Sequence, residues 1–212
     1  FEEPEPILPE TCFCDHCLYT FSKDSGIEIP DGTTAQKADW ILTNIDASWR
    51  DWRCKVIYDW TYEIKTIIKD IKPKALLGLY HCPWNDTEFD GARRRILGLD
   101  YNLLKETIDV FSPMVYHARM GRSPDWVRDN ILWFSNRLNT GQSHYPKIWP
   151  IVQAYDNPRK IAGKEFETVL KGGLSGNSSG VMMFTTSAIA DNEDKIQVMK
   201  RVYNNLKEKA IK

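Results

Sequence analysis

Four short apolar runs punctuate the chain, at residues 75–81, 111–117, 148–153 and 180–185. Each is bounded by polar or turn-forming residues and is too short for a buried helix. Continuous apolar runs of this length predict strands covered on both faces. Their starts, at 75, 111, 148 and 180, lie 36, 37 and 32 residues apart. Helical patterns fill the intervals. The first, from Tyr101 to Val110, is brief. In the second, Ser123 is the expected N-cap with Pro124 at the first helical position, and Val127, Ile131 and Phe134 form an apolar stripe. Glu165, Phe166, Val169 and Leu170 predict a third helix. Asp191 is the expected cap of the last, with Ile196, Met199, Val202, Tyr203 and Leu206 facing inward. Upstream, residues 34–72 read as helical. Trp49, Trp52, Val56, Trp60, Ile64, Ile67, Ile68 and Ile71 share one stripe there, and Lys72-Pro73 ends it. Residues 1–33 read as irregular, because Pro4, Pro6, Pro9, Pro30 and the Asp31-Gly32 turn interrupt any regular element.

Strands alternating with helices predict an α/β fold with a parallel sheet covered by helices. The spacing suits a (β/α)8 TIM barrel, with a doubly wound sheet as the alternative. Four strands are visible where a barrel needs eight, so the chain reads as a C-terminal half. The expected organisation is an irregular, metal-braced loop over 1–33 and a half-barrel over 34–212. A half-barrel exposes two parallel edge strands. The missing half is therefore expected as an N-terminal segment, a second chain or a homodimer mate. A chain that opens at Phe1, without Met or signal peptide, fits the loss of an upstream segment.

Cys12-Phe13-Cys14-Asp15-His16-Cys17 concentrates three thiols and an imidazole in six residues. Cys-x-Cys-x-x-Cys can wrap a soft metal, with a fourth ligand from elsewhere; the alternative is a reduced, partly buried thiol group. Cys54 and Cys82 stand apart, so an evenly spread disulfide framework is not indicated. Iron–sulfur or redox chemistry is the less favoured reading, since the Cys-x-x-x-Cys-x-x-Cys spacing of radical enzymes is missing.

Charge narrows the partners. Net charge is −1 over 212 residues, with no basic surplus to drive binding to nucleic acid or anionic lipid. The local run Arg93-Arg94-Arg95 follows Glu88 and Asp90 and reads as solvated surface. No apolar run approaches a membrane span of roughly 18 residues. Eight Trp, nine Tyr and eight Phe are enough to supply sugar-stacking faces as well as a core. Asn85-Asp86-Thr87 and Asn177-Ser178-Ser179 match the glycosylation sequon, a pattern short enough to arise by chance.

The cysteine run, a later aromatic at Phe21 and the long Trp-rich helix resemble the zinc-bearing β-galactosidases of glycoside hydrolase family forty-two. Pro83-Trp84, the 111–117 stretch Phe-Ser-Pro-Met-Val-Tyr-His, and Pro150 to Gln153 resemble bacterial and archaeal barrels assigned to glycoside hydrolysis. The resemblance spans nearly the whole chain, in the order of barrel strands five to eight. It implies structural zinc held by Cys12, Cys14 and Cys17. The fourth ligand would come from the missing half, with His16 or Cys82 as substitutes. It also implies hydrolysis of an oligo- or polysaccharide by two carboxylates. Glu3 matches the position of the acid/base glutamate relative to the cysteines, although no Asn-Glu pair stands there. Gln153 occupies the neighbourhood expected of the nucleophile. That departure keeps open a non-catalytic carbohydrate-binding or scaffold barrel. Polymer-degrading barrels are often exported, which favours an extracytoplasmic or secreted location.

Active sites in this architecture gather at the C-terminal ends of the strands. That selects Tyr80, His81, Trp84, Asn85 and Asp86 after the first run, and Tyr116, His117 and Arg119 after the second. It selects Gln153, Tyr155 and Asp156 after the third, and Thr185, Thr186 and Ser187 after the fourth. Aromatic faces, amides and hydroxyls suit a sugar. Asp86, Asp156 and His117 are the acid/base candidates, with loop capping or a structural histidine as the competing roles. Trp84 is the candidate stacking platform, and Arg53 a structural ion-pair member. The glycine- and serine-rich stretch 172–180 precedes a strand, which argues against a phosphate loop.

Overall fold

A computed structural model describes residues 10–138 and 146–210, with side chains through residue 208. The chain forms two compact units: one of residues through Ala75 with Trp84–Thr107, the other of Leu76–Pro83 with Ile108 onward.

The first unit is helical: α1 (Asp15–Ser25), α2 (Thr34–Asn44), α3 (Asp46–Ile71), α4 (Glu88–Arg95) and α5 (Tyr101–Leu104). Helix α1 lies inside the stretch expected to be irregular. It fits between Pro9 and Pro30 and stops at Gly26, whose φ of 71° is a left-handed C-cap. The 34–72 helix is two helices. Thr33 and Gln36 form a reciprocal capping box at the start of α2, and Ile45, at φ −139° and ψ 26°, breaks the run before α3. Phe21, Ile41 and Trp49 are fully buried, with Phe13 stacked on Trp49 at 5.0 Å and Trp52 beside it. The N-terminal part of the Trp-rich stripe is thus core, whereas Val56, Trp60, Ile67 and Ile71 are exposed.

The triple-arginine run is not solvated surface. Arg93 is buried, lies 3.9 Å over the Tyr101 ring, and pairs with Asp86 and the Leu99 carbonyl. Arg95 and Arg50 both reach the buried carboxylate of Glu10. Arg53 donates to the carbonyls of Arg95 and Ile96 at 2.7 and 2.6 Å, satisfying the C-terminal end of α4 rather than making the expected ion pair. Planar guanidinium groups can be buried where donors meet carbonyls or carboxylates, which a composition argument does not register.

The second unit contains strands β1 (Gly78–His81), β2 (Val110–Val115), β3 (Lys147–Ile148), β4 (Ile151–Gln153) and β5 (Met182–Phe184), all parallel. Helices α6 (Trp126–Arg137), α7 (Gly163–Gly173), α8 (Ser187–Ala190) and α9 (Glu193–Ala210) alternate with them. Strands β3 and β4 are one run interrupted at Pro150, which has no N–H for the ladder. The sheet order is β1-β2-β4-β5, with β3 also on β2. Among the described strands the order therefore follows the chain without the reversal of a doubly wound sheet. The register pairs Leu79 with Phe111, Val115 with Val152, and Gln153 with Phe184. Strands β2 and β4 are wholly buried, whereas exposed or half-buried residues dominate the edge strands β1 and β5.

Val115, Val152, Ile131, Phe166, Val169 and Val198 close the core between sheet and helices. Each such side chain contributes about 1.5–3 kcal/mol by leaving water. Helix α6 begins at Trp126 with Asp125 at its N-cap, not at Pro124 with Ser123 as cap; Ser123 and Pro124 form a preceding turn whose carbonyls accept from the Trp126 and Val127 N–H groups. Helix α9 is capped by Asn192, whose Oδ1 accepts from the Lys195 N–H at 3.1 Å, not by Asp191. No described helix is long and apolar enough to cross a membrane.

Candidate functional site

In a parallel sheet all strands end on one side, so the residues after β1, β2, β4 and β5 come to a common edge. Three aromatic rings from three of those strand ends meet there. Tyr116 and Tyr155 stand edge-to-face at 5.9 Å, Tyr116 and Phe184 at 5.8 Å, and Tyr155 and Phe184 edge-to-face at 5.7 Å. Phe184 is 49% exposed and Tyr116 is buried. The Tyr155 hydroxyl is a buried oxygen with no hydrogen-bond partner among the described residues. Tyr80, near the end of β1, is 64% exposed. Thr185 Oγ1 lies 2.7 Å from Ser187 Oγ beyond Phe184.

Gln153 is fully buried and committed to backbone. Its Oε1 accepts the Arg119 N–H at 3.0 Å, and its Nε2 donates to the Tyr155 and Asn157 carbonyls at 3.1 and 2.6 Å. Its amide is therefore spent on positioning rather than on substrate, tying the loop after β2 to the loop that carries Tyr155. Arg119 is exposed. His81 is also a core residue. Its Nδ1 lies 2.7 Å from the Cys82 carbonyl, and its ring packs against Phe111 and Phe134.

His117 is fully buried, with Nε2 2.7 Å from Glu165 Oε1 at the start of α7. Arg159 donates to both oxygens of that carboxylate, at 2.7 and 2.8 Å. Burial lowers the His117 pKa against the opposing pull of Glu165, so the imidazole is neutral at pH 7. The Arg159 hydrogen bonds, then the His117 bond, hold the Glu165 carboxyl below the usual carboxylate range despite some burial.

Asp156 pairs with Lys195, a fully buried lysine whose Nζ is 2.8 Å from Asp156 Oδ1 and 2.7 Å from the Ala154 carbonyl. The same Oδ1 accepts the Ile161 N–H at 2.9 Å. Desolvation pushes the Asp156 pKa up, but these donors outweigh it and the net shift is downward. Asp156 is thus held as a carboxylate.

Trp84, Asn85 and Asp86 belong to the other unit. Trp84 is 2% exposed and packs edge-on to Phe89, so it presents no open stacking face. Asn85 Oδ1 accepts the N–H groups of Thr87 and Glu88, an Asx turn. Asp86 pairs with Arg93. Glu3 lies outside the described residues.

Cys12, Cys14 and Cys17 bring their three sulfurs within 4.8 Å of one another. Tetrahedral thiolate coordination at about 2.3 Å per bond requires such closeness. The N-cap position of Cys14 on α1 places its sulfur against the Cys17 N–H, which lowers its pKa, with Cys12 assisting. Burial and the neighbouring thiols push Cys17 up to about 12. Three sulfurs at this spacing fit a soft cation. The group has no fourth His, Cys, Asp or Glu ligand among the described residues. A pocket of about 270 Å³ adjoins it, lined by Cys12, Cys17, Trp52, Arg53, Val56 and Leu97, among others.

Phe184, Glu165 and Lys195 were not legible as site residues. Phe184 sits inside an apolar run, and the two charged residues lie on helices far along the chain from their partners.

No family model matches the chain. No curated protein matches it either. Among solved structures, bee venom hyaluronidase in its monoclinic crystal form aligns with a TM-score of 0.48 and 15% identity, over 89% of this chain and 61% of that one. The complex of bee venom hyaluronidase with a hyaluronic acid tetramer aligns with a TM-score of 0.44 and 13% identity, over 91% and 60%. The chain spans about three fifths of the length of those structures. Likeness at this level speaks to neither substrate nor site.

Proposed function

We propose that the C-terminal strand ends of the second unit bind carbohydrate, as part of a (β/α)8 glycoside hydrolase acting on an oligo- or polysaccharide. The observation that carries this reading is the Tyr116–Tyr155–Phe184 cluster at the strand ends, in which Phe184 is half open. A half-open aromatic face held by two neighbouring rings is what a sugar ring stacks on. In this reading the chain supplies strands five to eight, and the open edges of β1 and β5 are closed by an N-terminal half. Cys12, Cys14 and Cys17 hold structural zinc that fixes the start of α1.

Asp156, kept ionised by Lys195, suits a base or nucleophile rather than a proton donor. The acid is assigned to a carboxylate outside the described residues, with Glu3 as the candidate in this chain. A second reading, binding without hydrolysis, is favoured by one observation: Gln153 stands where a nucleophilic carboxylate is expected, and the two described candidate carboxylates, Asp86 and Asp156, are both ion-paired.

A glycan array followed by calorimetry tests the proposal. Binding of an oligosaccharide, weakened about tenfold or more by Phe184→Ala, is expected; a stacking face is worth on the order of 1 kcal/mol or more. Silence across the array removes both readings. Binding without release of reducing ends, in the protein completed by its N-terminal half, selects the second.

A further inference from the structure

Helix α3 carries an apolar ridge that the described residues leave uncovered. Val56, Trp60, Ile67 and Ile71 are 43%, 61%, 51% and 72% exposed, with half-buried Ile64 between them. Their spacing keeps all five on one side of the helix. At 1.5 Å per residue the ridge runs roughly 22 Å, about four turns. Scattered apolar residues on a surface need no explanation, but a continuous ridge marks a contact.

One flank of the ridge is acidic. Asp59, Glu63 and Asp70 are exposed and fall in a row beside it. Lys55 of the same helix engages Asp59, whereas Glu63 and Asp70 have no ion pair among the described residues. The opposite flank is apolar, formed by half-buried Ile57 and Ile68.

We propose that this ridge docks an amphipathic helix of a partner polypeptide, one with an apolar i, i+3, i+4 stripe and a row of Lys or Arg along one edge. Charge selects this occupant over a second copy. An antiparallel two-fold pairing through the ridge sets the acidic row beside the same row of its mate. A parallel pairing sets it beside Ile57 and Ile68. Neither supplies a cation, and like charges in register cost affinity. The acidic row equally disfavours an anionic lipid surface. The inference rests on α3 alone and does not depend on the carbohydrate reading.

The test uses the 212-residue chain and two fluorescein-labelled peptides of about 20 residues. Both carry the same Leu stripe. One has Lys along the flank that would face Asp59, Glu63 and Asp70, and the other has Glu there. Fluorescence anisotropy is expected to show the Lys peptide binding at least about tenfold tighter, with the gap narrowing in high salt. Trp60→Ala is expected to weaken it by about tenfold or more. Glu63→Lys with Asp70→Lys is expected to reverse the preference. All three side chains are exposed, so the fold is retained, and circular dichroism checks this. Equal binding of the two peptides, or binding of neither, overturns the proposal. So does a dimer in sedimentation that Trp60→Ala dissociates, or adsorption to phosphatidylglycerol vesicles in place of peptide binding.

Discussion

His117 Nε2 lies 2.7 Å from Glu165 Oε1, joining the C-terminal end of a central strand to the first turn of α7 across 48 residues of chain. The imidazole is fully buried and the carboxylate is also held by Arg159. This arrangement orients a buried histidine without charging it. Replacing Glu165 by Gln removes the charge while keeping an oxygen in place. A loss of about 1–2 kcal/mol is expected, read as a lower urea midpoint.

The same pair sets a pH dependence. The folded pKa of His117 lies below its ordinary 6.5, so the folded state resists protonation that the unfolded chain accepts. Its contribution is fully present above pH 6.5 and is lost as pH falls toward the lower folded value. Glu165 has a folded pKa below its ordinary 4.5, so its contribution is present above that value and is lost on further acidification. Thermal scans from about pH 7.5 to about pH 4 are expected to show Tm beginning to fall near pH 6.5. His117→Phe, which has no proton to gain, is expected to flatten the upper part of that curve. An unchanged curve in the variant would assign the effect to another group.

Lys195 tests the buried charge at the end of β4. Lys195→Met keeps the length but strips Asp156 Oδ1 and the Ala154 carbonyl of a donor. Asp156 is 43% exposed and can turn to water, so the expected cost is about 1–3 kcal/mol rather than that of a closed ion pair. Loss of the donor is also expected to raise the Asp156 pKa, followed by carboxyl carbon NMR.

Metal content tests the thiol cluster. Purified protein is expected to carry zinc in stoichiometric amount by atomic emission, and Cys14→Ser to reduce it to a trace. Stripping the wild type with a chelator at neutral pH is expected to lower Tm by several degrees, because binding energy is folding energy in such a site. Protein that binds no zinc, cobalt or cadmium would leave the three cysteines as thiols alone.

Gly176 sits at φ +58°, and a Cβ there would lie 2.6 Å from Ser135 Oγ. That oxygen also accepts the Asn177 N–H at 3.1 Å. Gly176→Ala is expected to cost about 1–2 kcal/mol through backbone strain and collision, lowering Tm by roughly 2–8 °C. This assigns the glycine-rich stretch before β5 a turn's role.

The periodicity of the chain determined the alternation of strands and helices, because a buried strand must be apolar throughout and a covering helix must be apolar on one stripe. The runs around Val110–Val115 and Ile151–Gln153 followed directly, and the cysteine spacing marked a cluster that the fold keeps together. Local pattern also carried errors. It missed α1, merged α2 with α3, and placed Arg93 in solvent. What tertiary structure alone decided is which polar groups meet. Gln153 sits at a strand end as expected, yet its amide is consumed by three backbone groups. Trp84 is the right residue type for a platform and is buried, whereas Phe184, hidden in an apolar run, is half open. Glu165 finds His117, and Lys195 finds Asp156, each across a long stretch of chain. Sequence periods report which face of an element is dry. Which neighbour fills that face, and which charge answers another, depends on contacts between elements distant in the chain, and no local pattern encodes them.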